Sequence, residues 1–138
     1  MHRYLIPTEF DGYKVYDKLI GKTFTEIEVT KGAPIRDHIL FKTDTGIIFI
    51  MEHEQSCCED VNIEDIIGNV SSLLNSPILV AEERFGDLPK KDDCDESYTW
   101  TFYEFATLHG SVTIRWYGSS NGYYSEKVDF YELIEDDK

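Results

Sequence analysis

The sequence predicts a single α+β domain built mainly from an antiparallel sheet of about six or seven strands. Two observations favour this fold class: several short segments alternate apolar with polar residues, and glycine-containing turns separate them. The chain has 138 residues, of which 41% are hydrophobic and 14% aromatic, so it suits one compact domain with a filled core. Consecutive strands are expected to pair as hairpins and meanders, and a barrel-like curl of the sheet is compatible with the pattern.

The first half of the chain predicts three strands after an irregular lead-in over residues 1–18. One helical turn is expected near residues 13–20, because Gly21 would end it. The three strands are Phe24–Thr30, Asp37–Thr43 and Ile47–Met51. The third strand is apolar throughout, which predicts burial on both faces or a central position in the sheet.

A short helical segment over residues 63–75 is predicted to cover one face of the sheet. Asn62 is a good N-cap, and Glu64 and Asp65 fall in the first turn, where the helix dipole favours negative charge. The buried stripe of this segment would consist of Ile66, Ile67, Val70, Leu73 and Leu74.

The second half of the chain predicts four more strands. They are Ile78–Phe85, Tyr98–Leu108, Ser111–Tyr117 and Tyr123–Leu133. The last three, joined by a turn at His109 and another at residues 118–122, are expected to form an antiparallel meander. The acidic stretch 86–97 predicts a mobile loop, and the acidic tail 134–138 is expected to be frayed.

The chain is strongly acidic, with 13 Lys and Arg against 27 Asp and Glu and a formal net charge of −14 at pH 7. Such a field repels phosphate backbones, so direct nucleic-acid binding is disfavoured, whereas a basic protein partner is attracted. No apolar run approaches the ~20 residues that a bilayer span needs, and the N-terminus lacks the pattern of a signal peptide. We therefore expect a cytoplasmic protein that does not contact a membrane.

Metal-ligand residue types are concentrated just after the apolar third strand. His53, Cys57 and Cys58 are suitable zinc ligands, and Cys94, Glu54 or Glu59 could complete a set of four. Adjacent cysteines rarely hold one ion, however, and the chain has no further pair of ligands with a spacing such as Cys-x-x-Cys. The alternative is a small cysteine buried under the helical segment, with His53 satisfied by hydrogen bonds.

The same block leaves further chemistries open. A nucleophilic cysteine with His53 as its base is disfavoured, because the neighbouring carboxylates raise the pKa of a thiol. A vicinal Cys57–Cys58 disulfide is a further alternative, although it is strained, and three cysteines do not suggest a disulfide framework. Carboxylates that could form a cation site are Glu52, Glu54, Glu59, Asp60, Glu64 and Asp65, and the first four could also form a solvated partner-binding face. We assign no catalytic residue.

The aromatic-rich segment from residue 115 to residue 124 is a second candidate binding region. A glycine- and serine-rich turn between aromatic side chains could hold a small ligand or form a protein-contact edge, since Trp and Tyr dominate interface hot spots. The alternative is a plain hairpin with cross-strand aromatic pairs. The candidate contact residues are Arg115, Trp116, Tyr117, Asn121, Tyr123 and Tyr124.

Four blocks of the sequence resemble a small, uncharacterised domain family of bacteriophages and bacteria, a domain of unknown function. The blocks are HEQSCCEDVNIEDIIG, SPILVAEE, TWTFYEFAT and SVTIRWYGSSNGYYSEKVDF, of which the patterns HEQxCCE and RWYGxSNGYYSE are the most specific. The resemblance runs from about Lys18 to Phe130 and implies a phage accessory or anti-defence protein. The family has no assigned activity, so no catalytic residue is carried over.

These observations favour a non-enzymatic acidic binding protein that binds and inhibits a basic host protein in the bacterial cytoplasm. The alternative is a metal- or small-ligand-binding protein that uses the block from His53 to Glu59, with zinc as the metal that its residue types favour.

Overall fold

The structure, a computed structural model, describes the backbone of residues 4–7, 9–10, 13–32 and 36–134 and the side chains of residues 16–32 and 36–133. The strands, in chain order, are β1 (Tyr4–Pro7), β2 (Glu9–Phe10), β3 (Tyr13–Lys14), β4 (Phe24–Thr30), β5 (His38–Thr43), β6 (Ile48–Glu52), β7 (Asp60–Ile67), β8 (Val80–Gly86), β9 (Ser97–Thr107), β10 (Gly110–Ser120) and β11 (Asp129–Ile134). The helical elements are α1 (Val15–Leu19) and a 3-10 helix at Val70–Leu73. No helix within these ranges has the length and apolar character needed to cross a membrane.

Most of the strands form two antiparallel sheets. A five-stranded sheet has the order β1-β11-β6-β5-β4, and a four-stranded sheet has the order β7-β10-β9-β8. Strands β2 and β3 pair only with each other. This confirms the predicted fold class, α+β and mainly antiparallel, but the strands described are divided between separate sheets and do not close into a barrel.

The two large sheets share one apolar core. Along β5 and most of β9, alternate side chains point to the shared interior, as the period of two in a β-strand requires. Phe41 of β5 lies 5.7 Å from Phe105 of β9, measured between ring centroids, and Trp116 of β10 places its indole nitrogen 3.2 Å from the sulfur of Met51 in β6. All four side chains are fully buried. Burying a side chain of this size contributes about 1.5–3 kcal/mol, so these contacts hold the two sheets together.

The predicted helix over residues 63–75 is wrong in its first part, which is strand β7. Val61 and Ile63 are buried while Asp60 and Asn62 are exposed, and the segment pairs with β10 along its length. A bulge at Arg115 and Trp116 then shifts the register, so that Ile66 still faces Ile114. β-branched residues and the free edge of β10 favour the strand over the helix. Only Val70–Leu73 is helical, and the side chain of its N-cap, Asn69, accepts a hydrogen bond from Ser71.

The predicted C-terminal meander is wrong in its third strand. β9 and β10 form the expected hairpin, but β10 continues to Ser120, and residues 121–128 form a loop. The last strand, β11, begins at Asp129 and pairs with β1 and β6 in the other sheet. Gly118 permits this change of sheet, because a Cβ there would lie 2.8 Å from the carbonyl oxygen of Glu126 in the returning loop.

The lead-in contains more structure than the sequence predicts. Its described part includes β1, β2 and β3, and the expected helical turn is present as α1. The acidic stretch between β8 and β9 is a loop, as its composition indicates. The tail residues 135–138 lie outside the described part of the chain.

Candidate functional site

His53 follows β6 and is buried, with 3% of its side chain exposed. Its Nδ1 lies 2.7 Å from the carbonyl oxygen of Lys127, 74 residues later in the chain. Because a carbonyl oxygen only accepts hydrogen bonds, Nδ1 must carry the proton. This bond ties the block after β6 to the loop before β11, which begins within the aromatic candidate segment and ends after it.

Glu59 is the second buried polar residue of this block. One carboxylate oxygen accepts hydrogen bonds from the backbone amides of Cys57 at 2.8 Å and Ser56 at 3.1 Å. The other oxygen lies 3.7 Å from Nε2 of His53, and neither of these two atoms has a hydrogen-bond partner among the described residues. A proton on Nε2 would turn the two groups into an ion pair.

The pKa of Glu59 reflects this environment. Burial by itself would raise the pKa, but hydrogen bonds from the backbone amides of Cys57 and Ser56, together with the neighbouring His53, outweigh it and lower the pKa below its ordinary value. Glu59 is therefore an ionised interior group. The prediction that it contributes to a solvated face is wrong, because its side chain is 0% exposed.

The predicted metal ligands are not gathered around one point. Cys57 and Cys58 are joined to each other in a vicinal disulfide, and a disulfide offers no thiolate to a metal. Cys94 is a free, exposed cysteine in the loop between β8 and β9. Within the described ranges, no group of three or more His, Cys, Asp or Glu side chains could hold a metal ion.

The aromatic segment is divided between two faces of β10. Trp116 points into the core, whereas Arg115 and Tyr117 lie on the outer face, and Arg115 Nη2 lies 3.3 Å from Asp65. Beyond the strand, Asn121 accepts a hydrogen bond from the backbone of Tyr123, which is 90% exposed, and Tyr124 is half-buried. The segment is therefore not a hairpin, and no cross-strand pair joins Tyr117 to Tyr123.

An acidic cleft of about 320 Å³ lies on the outer face of the four-stranded sheet. Strand β7, strand β10 and the loop 87–96 each contribute to its lining. The lining residues of this acidic cleft are Asp60, Asn62, Glu64, Lys91, Asp92, Asp95, Tyr117 and Ser119. Four carboxylates therefore surround one ammonium group. Of the predicted partner-contact residues, Asp60 and Tyr117 lie here, together with Glu64, which the sequence offers as a carboxylate for a cation site.

Tyr117 holds the acidic cleft together. Its hydroxyl group donates a hydrogen bond to Asp95 and accepts one from the backbone amide of Lys91 at 3.1 Å. Burial and the bond to Asp95 raise the pKa of Tyr117 to about 12, so the phenol keeps its proton at neutral pH. The ring packs edge-on against Trp100, with 4.7 Å between ring centroids, and the indole of Trp100 donates to the carbonyl of Pro89 at 3.1 Å. These bonds fix the acidic loop over the sheet.

Lys91 occupies part of the acidic cleft. Its ammonium group forms an ion pair with Glu64 and lies 5.5 Å from the centroid of the Tyr117 ring. The arrangement combines a carboxylate with an aromatic face, which is a recurrent way of binding a cationic side chain.

A second groove of about 380 Å³ lies beside the loop 121–128. Its lining includes Phe85, Thr99, Tyr124 and Glu126. The carboxylate of Glu126 accepts hydrogen bonds from Thr99 at 2.7 Å and Ser120 at 2.6 Å, so it is engaged by its own chain. Two further predicted contact residues line neither the acidic cleft nor this groove. Glu52 is the last residue of β6, and the backbone amide of Glu54, two residues later, donates a hydrogen bond to Asp129 at 3.2 Å.

Comparison with known proteins gives a family but no activity. No curated protein and no solved structure matches the chain. A family model described as a domain of unknown function, DUF7448, matches residues 17–130. This range includes the block after β6, the acidic cleft and the loop 121–128. Because the match covers most of its length, the chain belongs to the DUF7448 family.

Proposed function

We propose that this protein is a non-enzymatic binding protein, which takes up a basic side chain of a partner protein in the acidic cleft. The observation that carries the proposal is the position of Lys91, whose ammonium group lies between Glu64 and the ring of Tyr117. The acidic cleft already accommodates a cation from its own chain. A Lys or Arg side chain of a partner would bring the same chemistry.

The charge balance supports a basic partner. The acidic cleft has four carboxylates against one ammonium group, so a second cation would find carboxylates that Lys91 does not neutralise. The net charge of −14 extends this attraction beyond the contact itself and would accelerate the encounter at low salt.

The biological setting of the proposal rests on the resemblance of the sequence blocks to a phage and bacterial family. It supports a phage accessory or anti-defence protein that acts in the cytoplasm of the bacterial host. A nucleic-acid-handling host protein is a suitable target, because its basic surface would be covered, and its activity inhibited, by the acidic cleft.

The binding test uses a short lysine-rich peptide as the probe and isothermal titration calorimetry as the readout. We expect Asp60→Asn combined with Asp92→Asn to weaken binding by about tenfold, because two of the four carboxylates lose their charge. The amides keep the hydrogen-bond acceptors that Asn62 and the backbone of Cys94 use at these positions. Affinity for the wild-type protein should fall between about 0.05 and about 0.3 M salt, where screening becomes strong.

The matched control removes the same charge elsewhere. Asp17 of α1 and Asp44 of the turn after β5 are exposed and lie outside the acidic cleft. The Asp17→Asn and Asp44→Asn double variant should bind the peptide within about twofold of wild type. Equal losses in the two double variants, or an affinity that salt does not change, would show that the acidic cleft is not the binding site. Capture from a host lysate can use the same two double variants. A partner that uses the acidic cleft should be retained by wild type and by the control variant, and lost by the Asp60→Asn and Asp92→Asn variant.

The second candidate function is metal binding at the block after β6. It is favoured by two buried atoms that have no hydrogen-bond partner in the described part of the chain, Nε2 of His53 and Oε2 of Glu59, which lie 3.7 Å apart. Elemental analysis of reduced protein, purified without a metal-chelating tag, tests it. Stoichiometric zinc, with a melting temperature that falls in chelator, supports this function, and substoichiometric zinc with no such fall rejects it.

A further inference from the structure

We propose that the protein forms a symmetric dimer, in which β8 of one copy pairs antiparallel with β8 of a second copy around Glu83. The dimer would join two four-stranded sheets into one continuous sheet. This inference is independent of the acidic cleft and concerns a different surface, the outer edge of β8.

The edges of the two sheets differ in how they are protected. An edge strand presents unpaired amide and carbonyl groups to any strand that approaches it. On β7, the carboxylate of Asp37 accepts a hydrogen bond from the amide of Ile63 at 2.9 Å and covers the middle of that edge. On β4, Asn75 donates to the carbonyl of Phe24 at 2.8 Å. Further along β4, Glu26 and Glu28 would repel the same residues of a second copy.

The edge of β8 is complementary to itself. β8 ends the order β7-β10-β9-β8, and none of the strands that the structure describes pairs with its outer side. Gly21 and Lys22 form backbone hydrogen bonds with Ile78 just before the strand, and α1 packs against β8, so the pairing is proposed for the strand from Val80 to Gly86 itself. If two copies pair antiparallel around Glu83, Glu82 of each copy lies opposite Arg84 of the other, on the same face of the sheet. The side chains of Glu82 and Arg84 are 54% and 53% exposed, so both are accessible. Arg84 lies 3.4 Å from Glu82 and 2.8 Å from Glu104 of its own chain, so dimerisation would extend these ion pairs to the second copy. Opposite charges in directly facing positions stabilise an antiparallel pair.

The other face of β8 supplies apolar contact. Phe85 is 65% exposed in the isolated chain, a large fraction for an aromatic side chain. In the same register Phe85 lies opposite Ala81 of the second copy. On the face of Glu82 and Arg84, Gly86 lies opposite Val80, where its missing side chain leaves room. The two central Glu83 residues face each other in this register, but each carboxylate is held against its own chain, where Tyr103 and Tyr16 donate hydrogen bonds to it at 2.7 and 3.5 Å.

Charge reversal tests both the partner and the register. Sedimentation velocity over a concentration series should show a monomer–dimer equilibrium for the wild-type protein. Glu82→Arg and Arg84→Glu should each weaken the dimer by at least about tenfold, because each variant places like charges at both symmetric contacts. An equimolar mixture of the two variants should dimerise again, since Arg at position 82 of one copy then faces Glu at position 84 of the other.

Controls separate the proposed contact from net charge and from misfolding. Asp44→Arg and Lys31→Glu make the same charge changes at exposed sites outside β8 and α1 and should leave dimerisation unchanged. Phe85→Ser changes a side chain that the monomer leaves exposed, so it should keep the fold and still weaken the dimer by about fivefold. A wild-type protein that stays monomeric at high concentration would overturn the proposal. So would a dimer that Phe85→Ser leaves unchanged, or reversed variants that fail to dimerise when mixed.

Discussion

Glu59 shows how much a single residue depends on distant parts of the chain. The carboxylate of Glu59 accepts hydrogen bonds from the amides of its own loop. His53 lies against the same carboxylate and is itself held by the carbonyl of Lys127. The sequence around Glu59 is acidic and polar, so it predicts an exposed side chain. Nothing within the local sequence indicates that a loop 74 residues beyond His53 returns to this place. Burial of a polar residue is a property of the whole fold, and local composition does not reveal it.

The pH dependence of stability follows from this environment. Because folding lowers the pKa of Glu59, its ionised form stabilises the fold at pH values above the ordinary pKa of 4.5, and this stabilisation is lost as the pH falls through the folded value. We expect Glu59→Gln to lower the melting temperature at neutral pH, and we expect its difference from wild type to shrink in acid. Thermal unfolding followed by circular dichroism over a pH series measures both. Glu26→Gln, at an exposed carboxylate, is the control, and a difference that stays constant or grows in acid would contradict the prediction.

At the scale of elements, β7 explains why part of the acidic cleft could not be predicted. The segment Asp60–Ile67 carries apolar residues at positions that suit either a strand or a short helix, and its local signals include a good helix N-cap. The strand is chosen because β10 offers an edge with which it pairs, which is a contact between residues about 50 positions apart. Once β7 is a strand, Asp60, Asn62 and Glu64 line the acidic cleft with Tyr117. A helix would have placed these side chains elsewhere.

The loop between β8 and β9 is more firmly attached to the sheet than its sequence predicts. Its acidic composition predicts mobility, yet hydrogen bonds tie it to the sheet at Pro89, Lys91 and Asp95. The two aromatic residues that make these bonds, Trp100 and Tyr117, lie in β9 and β10. Both were recognisable as strand residues and the loop was recognisable as a loop, but the hydrogen bonds between them were not predictable.

Tyr117→Phe tests the contribution of one of these anchors. The change removes the hydroxyl group that joins Asp95 to the amide of Lys91 and keeps the ring against Trp100. We expect the free energy of unfolding to fall by about 1 kcal/mol, and the Lys91 amide to exchange its hydrogen faster. Urea unfolding and hydrogen–deuterium exchange measure the two effects. Tyr98→Phe, on a neighbouring ring that is 40% exposed, is the control. Unchanged exchange at Lys91 would show that the hydroxyl does not fix the loop.

At the scale of the whole molecule, the fold class was predictable and the assignment of strands to sheets was not. The alternation in β4, β5, β9 and β10 is strong enough to identify each strand. Alternation says which face of a strand is buried, but it does not say which strand lies beside it. The position of β11 next to β6 depends on the returning loop at Gly118, so the predicted meander placed it in the wrong sheet.

The shared core predicts that the two sheets unfold together. Phe41 belongs to the five-stranded sheet, whereas Trp100 and Trp116 both belong to the four-stranded sheet. We expect Phe41→Ala to reduce the free energy of unfolding by about 3–5 kcal/mol, as removal of a buried aromatic side chain usually does. The tryptophan fluorescence should report the full loss of unfolding free energy, because the cavity left by the Phe41 ring lies against Phe105 of the other sheet.

Urea unfolding followed by fluorescence and by circular dichroism provides the measurement. The two midpoints should fall together in Phe41→Ala. Val29→Ala, at a side chain that is 40% exposed, should change the free energy of unfolding by about 0.5 kcal/mol or less. A fluorescence midpoint that stays at its wild-type value in Phe41→Ala would show that the sheets are independent units.

The pairing of β1 with β11 has a practical consequence. Tyr4 lies opposite Ile134 in this pair, so the first and last strands run side by side, about 4.8 Å apart. A short linker could join them, and new ends could be opened at Leu108, which is 82% exposed in the tight turn between β9 and β10. The fold therefore lends itself to circular permutation, in which the order of the strands along the chain changes while their neighbours in space do not.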